Sequence, residues 1–405
     1  MKHLLIINKN YDNLIESIET ILPYSFAHTT YLPIFKYIKN NFKYNHVLKS
    51  RFILNSILEQ YNSCNFKIMV YDTRYNKLKY KKAFIKEIEI LSNDIYRRND
   101  LVNVKIRDFF IPNYELDYIY DNIQSIESPY VIETFVTFLL SECVINKEIL
   151  HFPIYYGSFS YLEKDRKNKC NSIHKLVMEK MLDDFTYISY KKEELCEMKT
   201  IEKKYYEEKN DEELKYKTNK YLKGYIFQIL YSINFMWKKY NITHNDLHIN
   251  NIMFINTSLD NIEYILDSKK YIIPTNNKLI KIIDFGRACV KYKNVDLSNS
   301  IFNKQGDCYN QYYLSNNTDI HLKSIKPRPI NDIIMFLNDI YTRLDLDKHP
   351  DIILFCEKYI KDINGNSYEF DNGSFDKYIQ IAEIDWKFKS VEKILNDKLF
   401  DEFVL

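Results

Sequence analysis

Runs of β-branched and aromatic residues, bounded by polar stretches, predict short strands in the first half of the chain. Phe66–Tyr71 and Ala83–Ile90 are two such runs, and the polar stretch 72–82 between them indicates consecutive strands. Two further runs, His151–Ser158 and Lys175–Met178, predict short strands after them. The first half is therefore predicted to be rich in strands.

Other segments carry apolar residues at the three- and four-residue spacing of an amphipathic helix. Pro129–Val144 and Tyr221–Tyr240 show this spacing, and Val47–Gln60 shows it as well. Residues 331–405 are predicted to be mostly helical. A strand-rich part with one helix thus precedes a helix-rich part, and that order predicts an α+β protein with two lobes.

The predicted domain boundaries follow from these patterns. Residues 61–180 are expected to form the strand-rich lobe and residues 181–405 the helix-rich lobe. Residues 1–60 are interpreted as an N-terminal extension without an assigned role. Residues 187–220 are dense in Lys and Glu, which predicts a solvated helix or a mobile insertion with no part in catalysis.

Composition favours a globular protein of a reducing compartment. Hydrophobic residues make up 46% and charged residues 28% of the chain, which is ordinary for a folded protein. The formal net charge of +2 offers no field that would attract nucleic acid or an anionic membrane. The seven cysteines are scattered and never spaced as Cys-x-x-Cys, so neither a zinc site nor a disulfide framework is predicted.

No segment predicts export or membrane insertion. The apolar run after Met1 is too short for the core of a signal peptide. The longest apolar stretches, such as Phe135–Leu140, fall well short of a membrane span. The expected location is the cytoplasm, with no membrane partner and no nucleic-acid partner.

Two segments of the second half carry the residue types of a phosphoryl-transfer site. ITHNDLHINNIMFI supplies Asp246 and Asn251, and LIKIIDFGRA places Asp284 at the end of an apolar strand. Phosphoryl transfer needs a carboxylate that accepts the nucleophile's proton and oxygen ligands that hold Mg²⁺ against the phosphates. One carboxylate and one amide oxygen are a reasonable set of protein ligands for Mg²⁺, which keeps several waters in its coordination shell. Gly286, two residues on, permits the turn that aims Asp284 inward.

The two motifs together resemble a known family. His-x-Asp-Leu-x-x-x-Asn followed by Asp-Phe-Gly is similar to the signature pair of the eukaryotic-type protein kinases. The form His-Asn-Asp-Leu-His, the predicted hairpin Ile255–Leu279 with its IIPTNNK segment, and the closing IIDFGRA resemble kinase-like proteins of nucleocytoplasmic large DNA viruses. The resemblance implies a two-lobed kinase-like fold that uses ATP and Mg²⁺, in the host cytoplasm or the virion.

The resemblance also implies a role for each motif residue. Asp246 is implied to be the catalytic base, and Asn251 and Asp284 are implied to bind Mg²⁺. His244 is implied to be structural and to bond the backbone of its own loop. Asp332, in PINDIIMFLNDIY, is expected to anchor that loop from a following helix; the alternative is a surface residue near the helix start.

The family requires a lysine on its third strand, paired with a glutamate on the helix of the small lobe. Lys86, in AFIKEIEI, fits because it alternates with apolar residues on a predicted strand. A buried ammonium is costly unless an anion meets it, and a solvated strand lysine is the alternative. Glu133 is preferred as its partner because its surroundings resemble the viral proteins, while Glu142 fits the spacing of ordinary kinases.

The adenine would be held by the connection after the last small-lobe strand. LVMEKML places Met178 where the family has its gatekeeper residue. The backbone carbonyl and amide of Glu179 and Met181 are therefore expected to meet the adenine edge. Their side chains matter little for such contacts.

The family's glycine-rich loop is missing, because no glycine precedes Gly157. The candidate segment NSCNFKIMV places Asn62, Cys64 and Lys67 at the glycine positions and Phe66 at the aromatic tip. Asn tolerates positive φ moderately well, whereas Cys and Lys do not. Lys67 is expected to add charge near the phosphates, and weak ATP binding is a consequence of the lost glycines.

Two residues of the catalytic motif depart from the family. Asn245 replaces the arginine that grips a phosphorylated activation loop in many protein kinases, so control by that route is not expected. His248 replaces the lysine that stabilises the transferring phosphoryl group as a fixed cation. KQGDCYNQYY occupies part of the expected activation segment, and residues 287–330 contain no Ala-Pro-Glu.

The leading hypothesis is an ATP-dependent serine/threonine protein kinase acting on a protein substrate. Catalysis would involve Asp246 and His248. A pseudokinase or scaffold that binds nucleotide weakly is the second hypothesis, motivated by the lost glycines. A small-molecule phosphotransferase of the choline or aminoglycoside kinase type is the third, motivated by His248 and opposed by Gly286. The pattern leaves the oligomeric state open.

Overall fold

The computed structural model divides into two compact units. The first comprises residues 1–148 and 153–180, and the second comprises residues 149–152 and 181–405. The residues that the structure describes are 25–28, 51–62, 64–90, 128–164, 170–181, 183–184, 211–292, 295–297, 299–303, 306–314, 326–343, 349–371, 374–388 and 390–405.

The first unit is built on a six-stranded sheet with the order β1–β5–β6–β4–β3–β2. All neighbouring strands in it run antiparallel. The strands are β1 Ser25–His28, β2 Phe52–Gln60, β3 Asn65–Asp72, β4 Lys77–Ile90, β5 Tyr155–Lys164 and β6 Cys170–Glu179.

Strict alternation in β3 shows how the sheet buries one face. Phe66, Ile68 and Val70 are buried, while the residues between them are only partly covered. Ala83 and Ile85 of β4 join the same core. Successive side chains of a strand point to opposite faces, so one face packs in the core and the other stays partly exposed.

Among the described residues of the first unit, one helix, α1, accompanies this sheet and spans Pro129–Ile145. Proline occupies the first turn of α1, where its missing N–H costs nothing. Nearly every residue of α1 is buried, as expected of a helix that is apolar on all sides. Its Ser141 Oγ accepts the Tyr155 N–H at 2.8 Å, which joins α1 to the start of β5.

The second unit combines longer helices with short strands. The helices are α2 Asp211–Tyr240, α3 Pro329–Arg343, α4 Pro350–Tyr359, α5 Asp376–Glu383 and α6 Val391–Leu395. The strands are β7 Asp183–Asp184, β8 Ile252–Asn256, β9 Asn261–Leu266, β10 Lys269–Pro274, β11 Lys278–Ile282, β12 Val290–Tyr292 and β13 Val295–Leu297. Short 3₁₀ turns lie at Ile249–Asn251, Ser300–Phe302, Gln311–Tyr313 and Lys398–Phe403.

Nested antiparallel pairs replace the single predicted hairpin at Ile255–Leu279. β8 pairs with β11, with Ile252 opposite Ile282. β9 and β10 form a hairpin of their own between them, turning at Asp267 and Ser268 with positive φ. The β8–β11 pair brings the chain before β8 and the chain after β11 to one end of the same ladder.

The helical spacing predicted for Val47–Gln60 is wrong, because residues 52–60 form the edge strand β2. Irregularities in the β2–β3 pairing, between Leu54 and Ser56 and again between Ile57 and Glu59, interrupt the alternation. Buried positions that skip a residue in this way resemble helical periodicity. Residues 52–60 consequently belong to the sheet and not to a separate extension.

Two other predictions concern segments that the structure describes only in part, residues 187–220 and residues 1–60. The first ten residues of α2 are 211–220, so that part of the charged stretch 187–220 is helical, whereas residues 187–210 lie outside the described residues. Residues 1–24 and 29–50 lie outside them as well. Within the described parts of the chain, no helix is both long enough and apolar enough to traverse a bilayer.

Candidate active site

Two short loops of the second unit face each other and are tied together at both ends. At one end, Thr243 and Cys289 exchange backbone hydrogen bonds of 3.1 Å each. At the other end, next to the β8–β11 ladder, the Ile283 N–H donates to the Asn251 carbonyl at 3.0 Å. Residues 243–251 carry Asp246 and Asn251, and residues 283–289 carry Asp284. The fold therefore places the three predicted site residues on facing loops.

Helix α3 anchors the first loop through two buried carboxylates. Asp332 Oδ2 and Oδ1 accept the backbone N–H groups of His244 and Asn245 at 2.8 and 2.7 Å. Asp339 Oδ2 accepts the Ile249 N–H at 2.8 Å. The predicted anchoring by Asp332 is confirmed, whereas the second anchor was missed. Its signal is the spacing of two helical turns, which puts both aspartates on one face of α3.

His244 fixes the loop from inside, as its predicted structural role requires. Its Nε2–H donates to the Ile283 carbonyl at 2.8 Å, and its Nδ1 accepts the Asp246 N–H at 3.3 Å. That pattern requires the neutral ring with its proton on Nε2. Burial lowers the pKa of His244, which keeps it neutral. Burial also raises the pKa of Asp332 to about 7, although two N–H groups oppose this shift.

The Asn251 side chain has a defined orientation. Its Nδ2 donates to the Asp246 carbonyl at 2.9 Å and lies 3.3 Å from His248 Nε2. With the nitrogen so used, the carboxamide oxygen is the atom that can bind a cation. An amide oxygen is a hard donor of the kind that Mg²⁺ accepts. Asn251 thus fits the predicted metal ligand, a role that stays a prediction.

Asp284 is held in an uncommon backbone conformation. Its φ is 66°, in the left-handed region that non-glycine residues rarely adopt. Phe285 is fully buried and packs on Phe152 and His244, with ring centroids 6.2 and 5.1 Å apart. The Gly286 N–H reaches back to Asp284 Oδ1 at 3.4 Å. Such local strain is maintained where the surroundings over-determine it, often at functional sites.

The Asp246 carboxylate receives two donors on one oxygen. Asp246 Oδ1 accepts Arg287 Nη1–H at 3.0 Å and the Tyr378 hydroxyl at 2.7 Å. Asp246 Oδ2 lies 3.8 Å from His248 Nε2. Arg287 and Tyr378 were both missed by the sequence analysis. Arg287 follows the Asp-Phe-Gly triplet directly, but Tyr378 lies on α5, and no sequence signal connects it with Asp246.

Asn245 makes hydrogen bonds between the loops, whereas the arginine that it replaces binds a phosphorylated activation loop in many protein kinases. It has a φ of 62° and is fully buried. Its Nδ2 donates to the Arg287 carbonyl at 2.9 Å. Its own carbonyl accepts a hydrogen bond from Gln311 Nε2. The residue that replaces the family's arginine thus ties the first loop to the second and to the 306–314 segment.

The first unit brings Lys86 and Glu133 together. Lys86 Nζ on β4 lies 2.7 Å from Glu133 Oε1 on α1, and the glutamate side chain is only 3% exposed. A carboxylate buried to that degree requires a cationic or hydrogen-bonding partner. Glu133 is therefore the one of the two considered glutamates that faces the strand lysine. Their part in binding a nucleotide stays a prediction.

The turn between β2 and β3 does not resemble a phosphate cradle. Asn62 Oδ1 accepts the backbone N–H groups of Cys64 and Asn65 at 3.1 and 2.8 Å. N–H groups used in this way are not available to phosphate oxygens. The expected aromatic tip is wrong, because Phe66 is 5% exposed and belongs to the core of the first unit.

The other predicted nucleotide contacts occupy ordinary positions. Lys67 lies on the partly exposed face of β3, 4.0 Å from Glu59. The Glu179 N–H donates to the Ile154 carbonyl at 2.8 Å, and the buried Met178 precedes it on β6. Met181 is buried. It is the first residue of the segment 181–405, which makes up most of the second unit. No contact of these residues indicates a ligand, so their roles stay predictions.

Comparisons with known proteins give limited guidance. No protein-family model matches this chain. No curated protein matches it either. Among solved structures, the crystal structure of a kinase domain from Plasmodium aligns over 86% of this chain and 87% of its own length, with 13% sequence identity and a TM-score of 0.26. A TM-score this low supports no argument about function. The functional interpretation therefore depends on the residues of the two loops. The resemblance to viral kinase-like proteins stays a prediction.

Proposed function

We propose that this chain transfers the γ-phosphoryl group of ATP to a serine or threonine hydroxyl of a protein substrate. The observation that carries the proposal is the pair of facing loops. Buried hydrogen bonds to Asp332 fix the first loop, and further bonds orient the Asp246 carboxylate, the Asn251 carboxamide and the Asp284 carboxylate. Phosphoryl transfer depends mainly on such positioning and on electrostatic stabilisation.

The donor set suits Mg²⁺. Asn251 and Asp284 offer an amide oxygen and a carboxylate from adjoining backbones. Among the described residues, no cluster of three or more His, Cys, Asp or Glu side chains could hold a metal by itself. A site with two protein ligands is nevertheless sufficient for Mg²⁺, which keeps several waters and binds through substrate phosphates. Asn251 and Asp284 would hold the ion, which would supply positive charge against the charge that develops on the phosphates.

Asp246 is the proposed general base. Its Oδ1 is occupied by Arg287 and Tyr378, which leaves Oδ2 to accept the proton of the substrate hydroxyl. His248 lies beside this oxygen and is placed to orient the entering hydroxyl. The buried Asp332 keeps the backbone of the loop fixed throughout. Positioned acid–base groups of this kind contribute roughly 10²- to 10⁴-fold in rate.

The ion pair of the first unit supports the same proposal. Lys86 lies on the third strand of the run β2–β4, and Glu133 lies on α1, the next element that the structure describes. Protein kinases require a lysine and a glutamate in those elements for activity. We assign Lys86 the task of binding nucleotide phosphates, with Glu133 orienting its ammonium group.

The proposal is tested by phosphoryl transfer from radiolabelled ATP to a generic basic protein or to the chain itself. Asp246→Asn is expected to lower the rate by at least about 10²-fold, because the amide cannot accept the proton. Asp260→Asn, an exposed carboxylate in the loop between β8 and β9, is the matched control and should keep the wild-type rate. Equal rates for wild type and Asp246→Asn would contradict the assignment.

A nucleotide-binding protein without turnover is the second candidate. The β2–β3 turn favours it, because Asn62 uses the N–H groups that would otherwise approach phosphate. This candidate predicts that Mg-ATP raises the melting temperature of the wild-type chain while no phosphate is transferred or released. Transfer that Asp246→Asn abolishes would exclude it.

A further inference from the structure

The side chain of Arg287 is held by contacts with Asp246, Tyr378 and Gln311, a set that we call the clamp. Its Nη1 contacts three acceptors: Asp246 Oδ1 at 3.0 Å, Tyr378 Oη at 3.1 Å and Gln311 Oε1 at 3.3 Å. The guanidinium carbon lies 5.7 Å from the centre of the Tyr378 ring. The Arg287 carbonyl is held in turn by Asn245. Several contacts of this kind limit the rotamers that the side chain can adopt.

Two supports of this clamp come from distant parts of the chain. Gln311 is fully buried and also donates to the Asn245 carbonyl. Tyr378 projects from α5, and the buried Tyr312 packs edge-on against it with ring centroids 5.3 Å apart. Burial and the neighbouring Asp246 raise the pKa of Tyr378, so its hydroxyl keeps the proton that it donates. The clamp is therefore intact across the physiological pH range.

The donors are distributed unequally over the carboxylate. Arg287 and Tyr378 both bind Oδ1, while Oδ2 faces His248. An arrangement that blocked the site would engage both oxygens, as a bidentate arginine does. Here Oδ1 is anchored by two donors, whereas Oδ2 lies 3.8 Å from His248 Nε2. This asymmetry orients the group and does not inhibit it.

We propose that Arg287 is the positioning residue for Asp246 and that Tyr378 and Gln311 hold Arg287 in place. Arg287 supplies a fixed cation where His248 and Asn245 have replaced the two cationic residues expected near the catalytic aspartate. The 306–314 segment would thus be locked by Gln311 without a phosphate group. This role rests on the proposed function, because Arg287 acts through Asp246.

The kinetic test compares Arg287→Ala and Arg287→Lys with wild type. Arg287→Ala should lower kcat by roughly 10- to 100-fold, the loss expected when a positioned base is displaced, with the KM for ATP changed less than about twofold. Arg287→Lys should recover part of the loss, and added guanidinium ion at millimolar concentration should restore activity to Arg287→Ala. Unchanged kcat, or a loss that guanidinium does not restore, would overturn the role.

Arg51→Ala is the matched control for that experiment. Arg51 also pairs with an aspartate, Asp72, but in the first unit, at the end of the β2–β3 hairpin opposite to its turn. Its removal should leave kcat unaltered and give no response to guanidinium. A similar loss and rescue in Arg51→Ala would show a general effect of the ion and overturn the specific role of Arg287.

A thermodynamic cycle tests the contact without turnover. The melting temperatures of Asp246→Ala, Arg287→Ala and the double variant should be non-additive, because residues in one network couple. Additive shifts would overturn the clamp. Wild-type protein without any turnover would overturn the proposed function and this role together, whereas turnover unaffected by Arg287→Ala would overturn the role of Arg287 alone.

Discussion

At the scale of the residue, buried polar side chains determine the local geometry of the second unit. His151 shows how: it is fully buried, its Nδ1–H donates to the Ile280 carbonyl at 3.2 Å, and its Nε2 accepts the Tyr264 hydroxyl at 2.6 Å. Both ring nitrogens are used only if the imidazole is neutral. Burial accordingly lowers the pKa of His151 from 6.5 to about 3.

The lowered pKa makes His151 a source of acid sensitivity. Between pH 6.5 and about 4, the unfolded chain binds a proton at His151 and the folded chain does not, so stability falls as pH falls. His151→Gln removes this dependence. We expect the slope of the unfolding free energy against pH to differ from that of wild type by about 1.4 kcal/mol per pH unit in this window. Urea unfolding at several pH values measures it.

The titration of Asp332 changes the unfolding free energy in the opposite direction over the same pH range. Its pKa is raised from 3.8 to about 7, so the folded chain binds the extra proton and stability is lost as pH rises toward 7. In His151→Gln this contribution is still opposed by that of His244, whose pKa burial also lowers. The stability of the variant should therefore rise less steeply with pH between 4 and 6.5 than that of wild type. Parallel curves for variant and wild type would contradict the assignment for His151.

At the scale of the element, close contact between strands shapes the sheet of the first unit. β2 and β5 are not neighbours in the strand order, yet Gly157 of β5 lies directly against Leu54 of β2. A Cβ atom at position 157 would lie 2.7 Å from the Leu54 Cβ. The sheet therefore curls so that these strands approach each other, and only glycine leaves enough room.

Gly157→Ala should destabilise the chain by about 1–3 kcal/mol, because an added methyl group overpacks a filled interior. Leu54→Gly, which removes the Cβ atom that this methyl group would meet, should also destabilise the chain by itself, by leaving a cavity. The double variant should be more stable than the sum of the two losses predicts, since each change relieves the other. Chemical unfolding of the three variants measures this coupling, and strictly additive losses would show that the two positions do not touch.

At the scale of the whole molecule, each unit contributes a part of the proposed chemistry. The first holds the Lys86–Glu133 ion pair, and the second holds the facing loops with Asp246, Asn251 and Asp284. A ligand that binds only the folded chain raises its apparent stability. The melting temperature is therefore a measure of nucleotide binding that does not require turnover.

Asp284→Ala should abolish the rise in melting temperature that Mg-ATP gives the wild-type chain, because the variant lacks the carboxylate assigned to the metal. Without ligand, the variant should melt within a few degrees of wild type, since Asp284 is only partly buried. Asp267→Ala, in the exposed β9–β10 turn, is the control and should retain the full shift. A shift that persists in Asp284→Ala would contradict the metal assignment.

Local patterns in the sequence were sufficient for several elements and for the chemistry of the loops. Runs of β-prone residues identified β3 and residues 83–90 of β4, helical spacing identified α1 and residues 221–240 of α2, and the motif residues identified the loops that face each other. Asp332 was also found, because the resemblance to the kinases implied an anchor for the catalytic loop at its position on the following helix. The strands and helices depend on residues that are close along the chain, where spacing reports geometry directly.

The tertiary structure alone decided what surrounds Asp246. Arg287, Gln311 and Tyr378 lie far from it along the chain, and the motif pair assigns none of them a contact near Asp246. It also decided that Phe52–Gln60 is a strand, because a bulged edge strand is recognised by its partner and not by its own spacing. Contacts between distant segments depend on how whole elements pack, which a local pattern does not encode.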